Sequence, residues 1–260
     1  MRLKEKGFTL IEVLVTLTII GALAALAYPA AQSLIRRGKT IQSIANLRSL
    51  SLANMTYLAD NGQFCPADDQ FNNRRWHGAR SSTGDKFDPS KGFLAPYLGE
   101  SKQVGICPLL TSLAVDGQSF ENGTGGYGYN DSYVGGRPGG AFDKTTKLRI
   151  PEKFANLSDP SKTVMFATTA YARASGLQEY PFCAPPFWDF GGGPSGSRPS
   201  PTVHFRADGK ALVAWCDGRV TAELKKVRDN GVNPHGGDVD DYDLGWFGSD
   251  ENNGSWNSRQ

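Results

Sequence analysis

The chain has 260 residues, with 28 Lys and Arg against 26 Asp and Glu and a formal charge of +2. A balance this even gives no electrostatic case for nucleic acid as a partner. No repeat at solenoid periods is present, so repeat architectures are excluded as well. The first element in chain order is a basic leader, MRLKEKG, followed by the run FTLIEVLVTLTIIGALAALAYPAA from Phe8 to Ala31. That run is apolar except for threonines and one charge, Glu12. As a helix it would extend roughly 36 Å, enough to cross ~30 Å of hydrocarbon.

Arg2, Lys4 and Lys6 precede the run, so the positive-inside rule keeps the leader cytoplasmic and sends the rest of the chain outward. Arg36, Arg37 and Lys39 follow it and weaken the asymmetry without reversing it. An ordinary secretory signal places its cleavage site after the apolar region. Here a glycine, Gly7, sits before it, and a cut between Gly7 and Phe8 leaves the apolar segment as the mature N-terminus. Removing the leader also leaves the side chains balanced at 25 basic against 25 acidic. A lone carboxylate in lipid is costly, so Glu12 is expected to have a task. The Phe8 amine of a neighbouring subunit is a suitable partner, and such a pair would set register more than stability.

Gly-Phe-Thr-Leu-Ile-Glu, at Gly7 to Glu12, resembles the processing site of type IV pilins and of the pseudopilins of type II secretion. The resemblance implies a prepilin peptidase that cuts after Gly7 and methylates Phe8. It makes Glu12 the fifth mature residue and puts Pro29 where the family often has a helix-kinking proline. It covers about an eighth of the chain.

The helix is expected to continue past the membrane to Asp60-Asn61-Gly62, a stop signal. Leu34, Ile41, Ala45, Leu52, Met55 and Ala59 form an apolar stripe expected to pack on the chain's own head. Pro29 and Gly38 are expected bend points. From Gly62 to about Pro160 the chain is rich in Gly, Asn, Asp and Pro, with one helical turn expected over Gly92–Leu98. Gly125 to Asn130 reads as tight turns with tyrosine rings covering a core, and no Gly-Lys-Ser/Thr follows to make it a phosphate loop. Lys162 to Ala167 reads as a strand. Three further strand-like runs, Thr202–Arg206, Lys210–Cys216 and Arg219–Leu224, are separated by Asp208-Gly209 and Asp217-Gly218. Two Asp-Gly turns predict type I′ hairpins and a three-stranded antiparallel meander.

This half resembles a large-headed subgroup of pilin-like proteins through Tyr127-Gly128-Tyr129-Asn130 and through His204 with Asp217-Gly218. Its His-to-Asp gap is longer than the subgroup's. His204 and Asp217 lack a nucleophile elbow, Ser195 reads as loop, and His204 at a strand centre reads as structural. His77 and His235, in polar surroundings, are expected to be exposed. No catalysis is expected.

Cys65, Cys107, Cys183 and Cys216 all lie beyond the apolar run, in what would be an oxidising compartment. Cys65–Cys107 with Cys183–Cys216 is the preferred pairing of three possible connectivities. A zinc site is disfavoured because no C-x-x-C pair exists. Asp238, Asp240, Asp241, Asp243, Asp250 and Glu251 crowd together near the C-terminus. Hard oxygen ligands so spaced suit Ca²⁺, as in the C-terminal loop of some secretion pseudopilins, and a solvated acidic tail is the plainer alternative. Trp188, Trp215, Trp246 and Trp256 with Phe187, Phe190 and Phe247 are expected mostly to pack.

The expectation is an α+β, pilin-like fold: a long N-terminal α-helix packed on a globular head with an antiparallel β-meander. Its parts are a leader (1–7), a transmembrane and assembly helix (8–31), a continuing amphipathic helix (32–61) and the head (62–260). The expected function is that of a structural subunit of a type II secretion pseudopilus or type IV pilus-like filament. Its partners would be other copies or paralogous subunits, prepilin peptidase and an inner-membrane assembly platform. The expected location is the bacterial inner membrane, with the head outside the cytoplasm. The alternatives are a membrane-anchored polysaccharide-binding domain and, behind it, an anchored periplasmic enzyme.

Overall fold

The computed structural model describes residues 9–111, 113, 121–227, 233–234, 236–249, 251–257 and 259. One helix, α1, runs unbroken over Leu10–Asn61, 52 residues, or ~78 Å at ~1.5 Å per residue. It ends where Gly62 takes φ 72° and donates its N–H to the Leu58 carbonyl at 2.8 Å. Glycine occupies that left-handed region without a Cβ clash, which is why Asn-Gly stops the helix here. Pro29 lies inside the helix.

The two halves of α1 differ in what they touch. Every residue from 10 to 38 is exposed. Farther along, Ser43, Leu47, Leu50, Ser51, Ala53 and Asn54 are buried on the head. This is not the stripe expected from the sequence. Leu34, Ile41 and Leu52 are 67 %, 68 % and 69 % exposed, and Ala45 and Ala59 are exposed too. Of that stripe only Met55 packs, partly, on the core. At ~100° per residue the stripe lies about half a turn from Leu47, Leu50 and Asn54. The head therefore takes the face carrying Ser43 and Asn54, whose side-chain oxygens find partners there. Asn54 Oδ1 accepts from the Cys65 amide at 2.9 Å and Ser43 Oγ lies 3.3 Å from Cys107 Sγ.

The strands are β1 (Arg74–Arg75), β2 (Gly78–Ala79), β3 (Tyr127–Tyr129), β4 (Val164–Thr168), β5 (Tyr171–Arg173), β6 (Gly176–Gln178), β7 (Val203–His204), β8 (Lys210–Trp215), β9 (Val220–Val227) and β10 (Leu244–Phe247). β1–β2 and β5–β6 are small hairpins; the other six form one antiparallel sheet in the order β3-β4-β8-β9-β10-β7. The expected turn near Gly92 is a short 3₁₀ helix at Ala95–Tyr97. Alternation along β8 splits the core in two. Leu212 and Ala214 join the layer that holds Leu47 and Leu50 of α1. Ala211, Val213 and Trp215 join the other layer, with Trp246, Phe247 and Trp256.

The three runs expected as a meander are strands, but they are not neighbours in sequence order. β8 and β9 form a hairpin, whereas β7 crosses to the far edge and pairs with β10, His204 opposite Leu244. Asp208 and Gly209 do take positive φ, 54° and 73°, and Ala207 and Lys210 exchange backbone hydrogen bonds across them. The chain turns there, but the Phe205 amide then donates to Asp243 rather than continuing the ladder. At Asp217-Gly218 only the glycine has positive φ (87°), and Trp215 N–H reaches Arg219 O at 2.9 Å. That connection is a longer, bulged turn and not the expected type I′.

Tyr127 to Asn130 join the layers. Tyr127 OH donates to Ser43 O of α1 at 3.4 Å, and Tyr129 OH to Cys65 O at 2.9 Å. Asn130 Nδ2 donates to Val164 O and Trp256 O, at 2.9 and 3.0 Å. Between the tyrosines, a Cβ on Gly128 would come within 2.5 Å of the Thr169 side chain and 2.7 Å of the Phe182 backbone.

All four cysteines are buried, free thiols, so the expected disulfides are absent from the structure. Cys65 meets α1 at Asn54 and Cys107 meets it at Ser43. Those helix positions are ~16 Å apart along the axis, whereas a disulfide needs Cα atoms within about 7 Å. Cys183 and Cys216 pack in the two separate core layers. Burial pushes the thiols of Cys65, Cys183 and Cys216 well up, so they stay protonated and inert.

Two predictions follow from this packing. Gly128→Ala should lower stability by ~3 kcal/mol, since the displaced atoms include backbone. Gly84→Ala, with open space around it, should change it by less than ~0.5 kcal/mol; melting curves of the full chain in detergent make the comparison. Chain purified from its host without reductant should resist a thiol reagent while folded and show all four thiols in denaturant. A denatured chain with two or none would establish a disulfide.

Candidate functional site

The candidate site begins at the N-terminus of α1. Gly7 and Phe8 lie outside the described residues. Thr9 is the N-cap and Glu12 the third helical residue, and they close a reciprocal capping box. Glu12 Oε2 accepts from the Thr9 amide and the Thr9 hydroxyl, both at 2.8 Å, and the Glu12 amide donates to Thr9 Oγ1 at 3.3 Å. Thr-x-x-Glu at a helix start is a known sequence signature of this box. Here it was legible in Thr9-Leu10-Ile11-Glu12 but overshadowed by the question of burial. Glu12 therefore holds the first turn of its own helix closed. Its Oε2 is engaged at the amide of Thr9, the residue next to Phe8, where a cleaved chain would carry its amine.

On either side of Glu12, Leu10, Ile11, Leu14, Leu17, Ile20, Leu23 and Leu26 are all more than half exposed. An 18-residue window of α1 is long and apolar enough to cross a membrane, and none of it is buried in the fold. A helix apolar on all sides and unburied by its own domain requires lipid or other helices around it.

Sites expected in the head resolve differently. Asp238 Oδ1 accepts from the amides of Asp240 and Asp241, at 2.8 and 3.3 Å, and so serves the local turn. Asp240 and Asp243 flank the ammonium of Lys225, at 3.1 and 4.0 Å. Among the described residues no group of three or more His, Cys, Asp or Glu side chains could hold a metal. Asp250 lies outside the described residues. The cation between the carboxylates is thus the protein's own lysine.

His77, expected to be exposed, is buried. It stands edge-on to Trp76 at 5.1 Å and tilted over Phe87 at 4.8 Å. Burial, then the Arg75 and Arg80 charges, hold its pKa well below the usual histidine value. His204 is also buried on β7 and depressed by burial and by Arg206. His235 lies outside the described residues. Asp217 caps the turn after β8 by accepting from the Arg219 amide at 2.9 Å.

The glycine-rich turn before β3 is an anion cradle that the chain fills itself. Glu179 Oε2 accepts from the amides of Gly123, Thr124 and Gly125, at 3.0, 2.8 and 3.0 Å, and from the Thr124 hydroxyl. Trp215, Trp246 and Trp256 are buried, whereas Trp188 and Phe190 are 41 % and 75 % exposed.

Residues 2–28 match the family described as the prokaryotic N-terminal methylation motif. No curated protein matches the chain, and no solved structure matches it either. The motif ends inside the apolar run that α1 leaves exposed, and it contains both members of the capping box. The N-terminal segment is therefore a prepilin-type motif of the type IV pilin and pseudopilin kind, on a helix that anchors the chain in a membrane.

Proposed function

We propose that the chain is a structural subunit of a pseudopilus or type IV pilus-like filament, cut after Gly7 by prepilin peptidase and methylated on Phe8. The observation that carries this reading is the pairing of the methylation motif with a helix whose apolar residues the head leaves uncovered. On the head-distal face these include Leu34, Ile41 and Leu52, so the apolar surface continues well past the membrane. Helices of neighbouring subunits would cover it, and water would not. The partners are other copies or paralogous subunits, with the head outside the cytoplasm.

The chain has no catalysis of its own on this reading. In support, His77 and His204 are buried and held neutral, and Asp217 serves a turn. Display of aromatic residues to a polysaccharide finds some support in the exposed Trp188 and Phe190.

Mass spectrometry of protein from the native host should find N-methylated Phe8 as the first residue; intact Met1 in membranes with active peptidase would overturn the assignment. Two Glu12 variants separate charge from capping. Glu12→Gln keeps an acceptor for the Thr9 amide and loses the charge; Glu12→Ala loses both. Both should be inserted and cleaved, and both should enter filaments poorly because a partner amine is left unpaired in an apolar surrounding. If Glu12→Gln assembles normally and Glu12→Ala does not, the carboxylate acts as a cap only.

A further inference from the structure

A cleft of about 690 Å³ opens where α1 leaves the membrane-length run and meets the head. Its helix side carries Arg36, Arg37 and Lys39, and its head side Leu109, Arg206 and Asp208. Among the described residues four cations and one carboxylate line it, and Asp208 is already bound to Arg36 at 2.5 Å. Arg206 is 7 % exposed. Its Nη2 donates to the carbonyls of Gly126 and Thr169, at 3.0 and 2.6 Å, and among the described residues Nε and Nη1 have no partner and no carboxylate pairs with it. A buried guanidinium without a counter-ion is costly. It leaves a fixed positive potential in the wall of an open, basic cleft.

The position of the cleft selects the anion. Arg36 and Lys39 lie five and eight residues after Ala31, ~8 and ~12 Å along a helix. Each headgroup layer is roughly 5–8 Å deep, and Arg and Lys side chains extend toward it while their stems cover apolar surface. These same charges oppose the positive-inside pattern, so topology gives no reason for them.

We propose that this cleft is a binding site for the phosphate of an anionic membrane phospholipid, held by Arg37 and Lys39 at the rim with Arg206 as the fixed charge behind them. Ile35, exposed on the helix side, receives the glycerol end of the acyl chains. Bound lipid neutralises the junction and fixes the height and tilt of the head above the bilayer. The proposal rests on the reading of α1 as a membrane anchor.

The test uses the full chain, extracted from host membranes in mild detergent. Native mass spectrometry should show retained phosphatidylglycerol, and added phosphatidylglycerol should raise the melting temperature while phosphatidylcholine does not. Arg37→Gln with Lys39→Gln alters two side chains at the cleft rim. It should keep the circular dichroism spectrum and lose roughly tenfold or more in retained lipid, and Arg37→Lys with Lys39→Arg should restore retention. Inorganic phosphate at the same concentration should not reproduce the thermal shift. Equal retention of both lipids, unchanged retention by the double variant, or a shift with inorganic phosphate alone overturns the headgroup site. Recovery of the chain outside the membrane fraction overturns the anchor itself, and is distinguished by that fractionation.

Discussion

One helix has to satisfy surroundings that no single domain can provide. α1 is apolar on all sides over its first half and on two opposite faces over its second, and the head covers only one of those faces. Leaving Leu34, Ile41 and Leu52 in water forfeits burial worth roughly 1.5–3 kcal/mol for each large side chain. The isolated chain is therefore an incomplete structure. On the reading proposed above, lipid would complete the first half and association the face that continues beyond it.

The head grips this helix through buried polar contacts. Its most buried polar groups are spent on internal bonds: Asn54 and Tyr129 on the segment around Cys65, Tyr127 on the Ser43 carbonyl, Asn130 on β4 and the C-terminal turn. Several charged groups are also taken up by partners within the head. Glu179 fills the backbone-amide cradle, Lys225 sits between Asp240 and Asp243, and Arg75 is paired with Glu121 in the interior. Buried polar groups with satisfied partners fix one arrangement of the core.

The elements legible in the sequence were those set by local rules. Asn61-Gly62 stops the helix because only glycine takes that cap cheaply; Val164–Thr168 is a strand as its β-branched and aromatic content suggests; Asp208-Gly209 turns as expected. What was not legible depends on distant partners. Nothing near Val203 indicates that β10, some forty residues later, will pair with it. The helix stripe was misassigned because counting apolar residues favours Leu34, Ile41 and Leu52. The head instead selects Ser43 and Asn54, whose value appears only once Cys107 and the Cys65 amide are opposite them. The cysteine pairing failed for the same reason: flanking prolines place Cys65 and Cys107 in similar local settings, but the fold brings them to different heights on α1.

The misassigned stripe is itself informative about function. A helix with one apolar face belongs to its own domain, and a helix with a second, uncovered face belongs partly to something else. Here that second face is continuous with the segment carrying the methylation motif. The capping box at Thr9 and Glu12 keeps the first turn closed, so the helix is already formed to its first residues. A frayed end would lose part of any pairing at Glu12 to the entropy of ordering that turn, ~1–2 kcal/mol per residue fixed. Capping fixes where the charge is, and the pairing proposed above would depend on its being there.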